Sequence, residues 1–158
     1  MKLLFLHGLE SGPHGAKYQA LRAAFGELIS PDCSGINDPQ QRLQIILQEL
    51  DQIEDQLLVI GSSMGGLMAL LLQQALPQRV AGLLLCAPAL HRRAAAGLSA
   101  KDLPPTLIIH GRQDQVVPLD ASRQFGAPLQ EVDDDHSLKN SLPLIVTETG
   151  RLKKLLEQ

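Results

Sequence analysis

Tryptophan is absent from the chain, and one tyrosine and three phenylalanines supply all its aromatic rings. Proteins that hold nucleic acid use stacking rings together with a basic stripe. A net charge of −3 points to no such stripe, so no nucleic-acid partner is expected. Cysteine is scarce too, with only Cys33 and Cys86 present. The topology argued below puts them on strands three spacings apart, about 14 Å at about 4.8 Å per spacing, beyond disulfide reach. Buried free thiols in a reducing compartment are the expectation. No apolar run approaches the length of a membrane span. The run after Lys2 (Leu3-Leu4-Phe5-Leu6) is too short for the core of a secretory signal, and no small-residue cleavage site follows it. The reading is a cytoplasmic protein with no membrane partner. With 44% apolar and 20% charged residues, the 158-residue chain has an ordinary globular composition and is expected to form a single domain over residues 1–158.

Apolar runs without alternation mark strands covered on both faces, as in a parallel sheet. They occur at Lys2–Leu6, Leu57–Ile60, Val80–Cys86 and Thr106–His110. Shorter strands are predicted around Leu28–Cys33 and Leu129–Val132. Between them the spacing turns helical. Tyr18, Leu21, Phe25 and Leu28 share one face of a first helix. Asp38-Pro39 opens a second, with the aspartate as cap and the proline at the first helical position. Its apolar stripe is Leu43, Ile46, Leu47, Leu50 and Ile53, and the intervening Gln, Arg, Glu and Asp residues are assigned to solvent. A third helix, Met64 to Leu76, is apolar nearly all round and should be buried. Short and long helices follow near Leu119–Phe125 and Leu142–Leu156. This alternation predicts a three-layer α/β/α sandwich around a mainly parallel six-stranded sheet.

The chemistry is concentrated at strand ends. Gly61-Ser62-Ser63-Met64-Gly65 is a G-x-S-x-G placed directly between a buried strand and an apolar helix. A turn that tight holds its serine in a strained conformation above the sheet edge, and small residues two positions either side avoid clashes. Only Ser63 has glycine at both positions, so Ser63 is the expected nucleophile and Ser62 its neighbour. Asp114, in the loop after the fifth strand, and His136, in the loop after the sixth, come to the same rim in the chain order Ser, Asp, His. They are the expected acid and base. His110 precedes the acid and is read as the end of its strand. An oxyanion hole needs two convergent N–H donors. The backbone of Met64 is one. The other is assigned to Leu9, with Glu10 as fallback, in the loop that begins His7-Gly8. His7, Gly8, Glu10 and Ser62 are the expected substrate contacts. Asp133-Asp134-Asp135 is read as solvated rather than as a metal cluster, because adjacent carboxylates cannot all point one way and no Cys/His spacing accompanies them.

Phe5-Leu6-His7-Gly8, the serine motif extended to Gly66, His110-Gly111-Arg112-Gln113-Asp114-Gln115-Val116-Val117-Pro118 and Asp135-His136-Ser137-Leu138 together resemble the α/β-hydrolase superfamily over essentially the whole chain. The loop His7–Pro13 followed by Lys17 resembles small esterase-like members. The Asp-His-Ser-Leu stretch resembles dienelactone-hydrolase-like proteins, whose nucleophile is commonly cysteine where Ser63 stands here. The resemblance implies a minimal version of the fold, lacking the usual first two strands and the cap, with strand order 2-1-3-4-5-6. Only Ala87–Leu103 lies where a cap is often inserted. The basic run His91-Arg92-Arg93 within it is assigned to a solvated loop.

The leading function is hydrolysis of small carboxylic esters or thioesters through an acyl-enzyme, with short acyl groups favoured. A non-catalytic binding module on the same fold, or a peptidase or acyltransferase on the same three residues, stands as the alternative. A triad with a backbone oxyanion hole requires neither metal nor cofactor. Ester hydrolysis is therefore expected to survive exhaustive dialysis against a chelator. Loss of activity that returned with added zinc or manganese would shift the site to Asp133–Asp135.

Overall fold

Every strand sends alternate side chains to opposite faces of the sheet, and here both sets are apolar. Leu3 and Phe5 point one way and Leu4 and Leu6 the other, and the same division separates Leu58 and Ile60 from Leu57 and Val59. Two hydrophobic clusters result, one on each face. The computed structural model describes residues 1–158. Its strands are β1 (Lys2–Leu6), β2 (Leu57–Ser62), β3 (Val80–Cys86), β4 (Thr106–Gly111) and β5 (Leu129–Val132). The helices are α1 (Ala16–Phe25), α2 (Pro39–Glu49), α3 (Met64–Ala75), α4 (Leu119–Phe125) and α5 (Leu142–Leu156). All strand pairings are parallel, in the order β1-β2-β3-β4-β5.

The predicted strand at Leu28–Cys33 does not form, so the sheet has five strands rather than six. A single bridge, Ile29 to Leu4, survives at the free edge of β1. The Ile29 N–H donates to the Leu3 carbonyl (3.0 Å), and the Phe5 N–H donates to the Ile29 carbonyl (2.8 Å). In a parallel ladder the next donation along this strand belongs two residues on, at Pro31, which has no N–H. The pairing stops there. The first helix is also shorter than predicted. It ends at Phe25 because Gly26 takes φ +82°, and Leu28 packs onto the core from the segment beyond.

The chain moves one way from β1 to the Ile29 bridge and the other way from there to β5. Crossovers between parallel strands keep one hand. The reversal therefore places α1 on one face and α2, α3 and α4 on the other, and α5 returns over the first face beside α1. Helix α3 is buried at Met64–Leu70 and again at Leu72, as its all-round apolar sequence requires. Asp38 caps α2 by accepting the Gln41 N–H (3.0 Å), with Pro39 at the first position. Both cysteines are free and buried, Cys33 in one cluster and Cys86 in the other. Burial pushes the Cys86 thiol up to about 11. No helix is long and apolar enough to cross a membrane.

The start of α3 lies directly against β1. A Cβ on Gly65 would overlap the Leu6 carbonyl, whereas one on Gly97 would meet nothing within 4 Å. Forcing a methyl into such a contact displaces backbone and costs about 1–3 kcal/mol. Gly65→Ala is expected to lower the urea midpoint correspondingly, and Gly97→Ala to stay within about 0.5 kcal/mol of the parent. Equal midpoints for the two variants would show that this contact does not constrain the fold.

Candidate active site

Ser63 stands between β2 and α3 at φ +57°, ψ −115°, a conformation rare outside glycine. Its backbone is pinned on both sides. The Ser63 N–H donates to the Cys86 carbonyl (2.9 Å), and its own carbonyl accepts from Gly66 (2.9 Å) and Ala89 (2.9 Å). A Cβ on Gly61 would overlap the Gly65 carbonyl. The turn therefore closes only with glycine at both flanking positions.

The Ser63 Oγ lies 3.0 Å from His136 Nε2, and His136 Nδ1 lies 2.8 Å from Asp114 Oδ2. Carboxylate oxygens accept, so Nδ1 carries the hydrogen and Nε2 is left to receive the serine hydroxyl. The Asp114 side chain is fully buried, while His136 keeps about a quarter of its surface. The other Asp114 oxygen accepts the N–H groups of Val116 and Val117, both at 2.8 Å. The neighbouring aspartates have separate partners. Asp133 pairs with Arg112 (2.8 Å). Asp134 is buried and accepts from the Asn140 N–H (2.9 Å) and the Ser141 hydroxyl (2.9 Å). The Ser137 hydroxyl and N–H donate to Asp135 and hold its carboxyl below the usual range.

His110 does more than end its strand. It is wholly buried, with Nδ1 2.7 Å from the Ser122 hydroxyl and Nε2 3.0 Å from the Val117 carbonyl and 3.1 Å from Asp114 Oδ2. Both Nε2 partners only accept, so Nε2 carries a hydrogen. Asp114 thus accepts hydrogen bonds from His136 and two backbone amides, and the His110 ring, bonded to the Val117 carbonyl, packs against it at 3.1 Å. The sequence signal was the four-residue step from His110 to Asp114 across the turn.

The loop after β1 closes the other side. A Cβ on Gly8 would lie 3.4 Å from the Ser63 Cβ, so the loop passes at contact distance from the serine. The Gly8 N–H donates to Ser11 Oγ (3.2 Å), and the Leu9 N–H has no partner within the chain. Met64 is the first residue of α3, where a backbone N–H has no intrahelical acceptor. His7 does not reach the cavity. It is buried, its Nδ1–H donates to the Gly8 carbonyl (2.7 Å), and its Nε2 accepts the Cys33 N–H (2.9 Å).

Arg42, assigned to the solvent face of α2 from its residue type, is only 1% exposed. It donates to the carbonyls of Ile36 (2.6 Å), His7 (2.9 Å) and Gly8 (3.2 Å). The spacing Arg42, Ile46, Leu50 places it on the buried side of the helix, and that was the available signal.

A cavity of about 420 Å³ opens over Ser63. Of the expected residues, Gly8, Leu9, Glu10, Ser62, Ser63, Met64 and His136 line it, and Asp114 lies behind His136. His91 and Arg92 also line it, against expectation, while Arg93 does not. Burial and the nearby Arg92 charge hold the His91 ring below its ordinary proton affinity. Lys17 on α1 reaches the wall and donates to the Ser137 carbonyl (2.8 Å), tying α1 to the histidine loop.

Residues 2–96 match the model of an uncharacterised protein family, UPF0227, which is more than half of the chain. The chain belongs to UPF0227. The matched part of this UPF0227 protein contains Ser63, the Gly8 loop and Arg42, and stops before Asp114 and His136. No curated protein matches it. Among solved structures, a protein of the α/β-hydrolase superfamily from Xanthomonas campestris pv. campestris is 24% identical with TM-score 0.75, over 99% of this chain and 96% of that one. Mouse alpha/beta hydrolase domain-containing protein 10 is 17% identical with TM-score 0.80, over 98% and 90%. The monoacylglycerol lipase of Paleococcus ferrophilus is 15% identical with TM-score 0.73, over 95% and 93%. The UPF0227 chain therefore has the α/β-hydrolase fold.

Burial, and secondarily the Arg42 charge, hold His7 below the ordinary histidine value of 6.5. A histidine that protonates more readily unfolded than folded contributes stability above its unfolded value, and that stability is lost as pH falls. The melting temperature is expected to drop between pH 7 and pH 5, and His7→Gln to flatten that slope. The same slope in both proteins would show that His7 is not the titrating group.

Proposed function

We propose that the protein is a serine hydrolase of small carboxylic esters or thioesters, working through an acyl-enzyme on Ser63. The observation that carries this reading is the continuous path from Ser63 Oγ through His136 to Asp114, at 3.0 and 2.8 Å, on the wall of a cavity. His136 Nε2 takes the serine proton as Oγ attacks the acyl carbon, and Asp114 stabilises the imidazolium that forms. The carbonyl oxygen becomes an oxyanion, with the N–H groups of Met64 and Leu9 as its donors. Each such donor is worth about 10²–10³ in turnover. His136 then protonates the departing alkoxide or thiolate. Water, deprotonated by the same histidine, releases the acid and restores Ser63. None of these steps calls on a metal or cofactor. The monoacylglycerol lipase among the structural neighbours supports ester chemistry on this fold. The two free thiols fit a reducing, cytoplasmic setting.

Between β3 and β4 the chain forms only a loop with one 3-10 turn, Arg93–Ala95, so no folded cap stands over the cavity. Each buried methylene contributes about 0.8 kcal/mol, and an uncapped cavity buries few of them. Acetyl to butyryl esters should therefore be preferred, with no activation at a lipid–water interface.

The test is a series of p-nitrophenyl esters from acetate to palmitate, assayed below and above micelle formation. Ser63→Ala should lower turnover by about a million-fold, and Asp114→Asn by about ten-thousand-fold. Ser62→Ala should remain active. Hydrolysis that persisted in Ser63→Ala would remove the nucleophile assignment. A steep optimum at long chains would remove the assignment of substrate size.

A further inference from the structure

Arg42 is a buried cation with no carboxylate partner. Its guanidinium takes part in none of the chain's ion pairs and spends its hydrogen bonds on three backbone carbonyls. Burying a charge without an opposite charge is expensive. Holding a loop in place requires no such charge, since a neutral donor bonds carbonyls as well. The reason for a guanidinium lies in which carbonyls it holds.

Two of them, His7 and Gly8, belong to the loop that passes at contact distance from Ser63. In a trans peptide the C=O and N–H point in opposite directions, and the chain has no cis bond. With the Gly8 carbonyl turned to Arg42, and to His7 Nδ1 as well, the N–H of the same peptide unit, that of Leu9, faces away from Arg42. That N–H has no partner in the chain, and Leu9 lines the cavity over Ser63. The bond from Arg42 Nε to the Ile36 carbonyl anchors the side chain, so its two terminal nitrogens meet the loop at fixed positions. A fixed positive charge on the carbonyl end also polarises the peptide and strengthens its N–H as a donor.

We propose that Arg42 is the positioning residue of the oxyanion hole, clamping the His7 and Gly8 carbonyls so that the Leu9 N–H is aimed at the developing oxyanion. This rests on Ser63 being the nucleophile. Arg42 touches no substrate and acts through the loop. Its removal should therefore depress the chemical step and leave ground-state binding nearly unchanged.

The experiment compares the parent enzyme with Arg42→Gln and Arg42→Lys. Readouts are steady-state kinetics on p-nitrophenyl butyrate and inhibition by a trifluoromethyl ketone, which forms an oxyanion on the serine. The matching methyl ketone, which binds without reacting, is the control. Arg42→Gln is expected to lose about 100-fold in kcat, with KM within a few-fold. Affinity for the trifluoromethyl ketone should fall by the same factor and affinity for the methyl ketone should hold. Arg42→Lys keeps the charge without the fork and should fall between Gln and the parent. A loss confined to KM, or equal losses for both ketones, would mark a merely structural role and overturn the proposal. If Arg42→Gln does not fold, Arg42→Lys decides: an unchanged kcat and unchanged trifluoromethyl ketone affinity would overturn it. A parent enzyme inert to esters and to a fluorophosphonate would instead remove the nucleophile reading itself, and the Arg42 proposal would fall with it.

Discussion

Ser63 occupies a backbone conformation that costs a non-glycine residue on the order of 1–3 kcal/mol, and the architecture around it is what keeps it there. The strain is offset by hydrogen bonds from β3 and the segment after it, by the burial of α3 behind it, and by glycines that allow α3 to approach β1 at its first turn. Relaxing the turn would lift α3 from the sheet and turn the hydroxyl away from His136. The need to close this one turn thus sets how closely α3 approaches β1 and the height of the serine above the sheet.

A parallel sheet then brings the remaining chemistry to one place. Its strands all end on the same side, so the loops after β1, β2, β4 and β5 meet at one rim. The loops after β1, β4 and β5 are each held by hydrogen bonds of their own. Arg42 and His7 hold the loop after β1. Two amides hold Asp114, with the His110 ring packed against it. Asp134, bonded to Asn140 and Ser141, holds the turn that carries His136. Polar groups buried in this way cost stability unless fully paired, and no buried side-chain nitrogen or oxygen here lacks a partner.

How much of this is legible in the sequence depends on the kind of residue that carries it. Uninterrupted apolar runs mark β1 and β3 to the residue, because runs of five to seven residues suit a strand covered on both faces and are short for a buried helix. The convergence of Ser63, Asp114 and His136 is legible because each follows directly on a strand. The run Leu28–Cys33 misleads, since its apolar residues suit a strand but Pro31 cannot donate to the ladder. For Arg42 the spacing to Ile46 and Leu50 marks a buried position, but what it and His7 bond to is hidden. Residue type alone puts an arginine on the surface and a loop histidine near substrate, whereas their partners are backbone carbonyls and amides that no sequence pattern displays. The approach of His91 and Arg92 to the cavity likewise depends on how the segment after β3 folds back, which composition does not specify.

The central claim is that Ser63 carries the acyl group between the two halves of the reaction. Acid-quenching the protein during incubation with p-nitrophenyl acetate, then digesting it and mapping it by mass spectrometry, tests this most directly. The account predicts an acetyl group on the peptide containing Ser63, at Ser63 and not at Ser62, that disappears as substrate is exhausted. Turnover with no acetylated peptide at any quench time, or with the acetyl group on another residue, would contradict it.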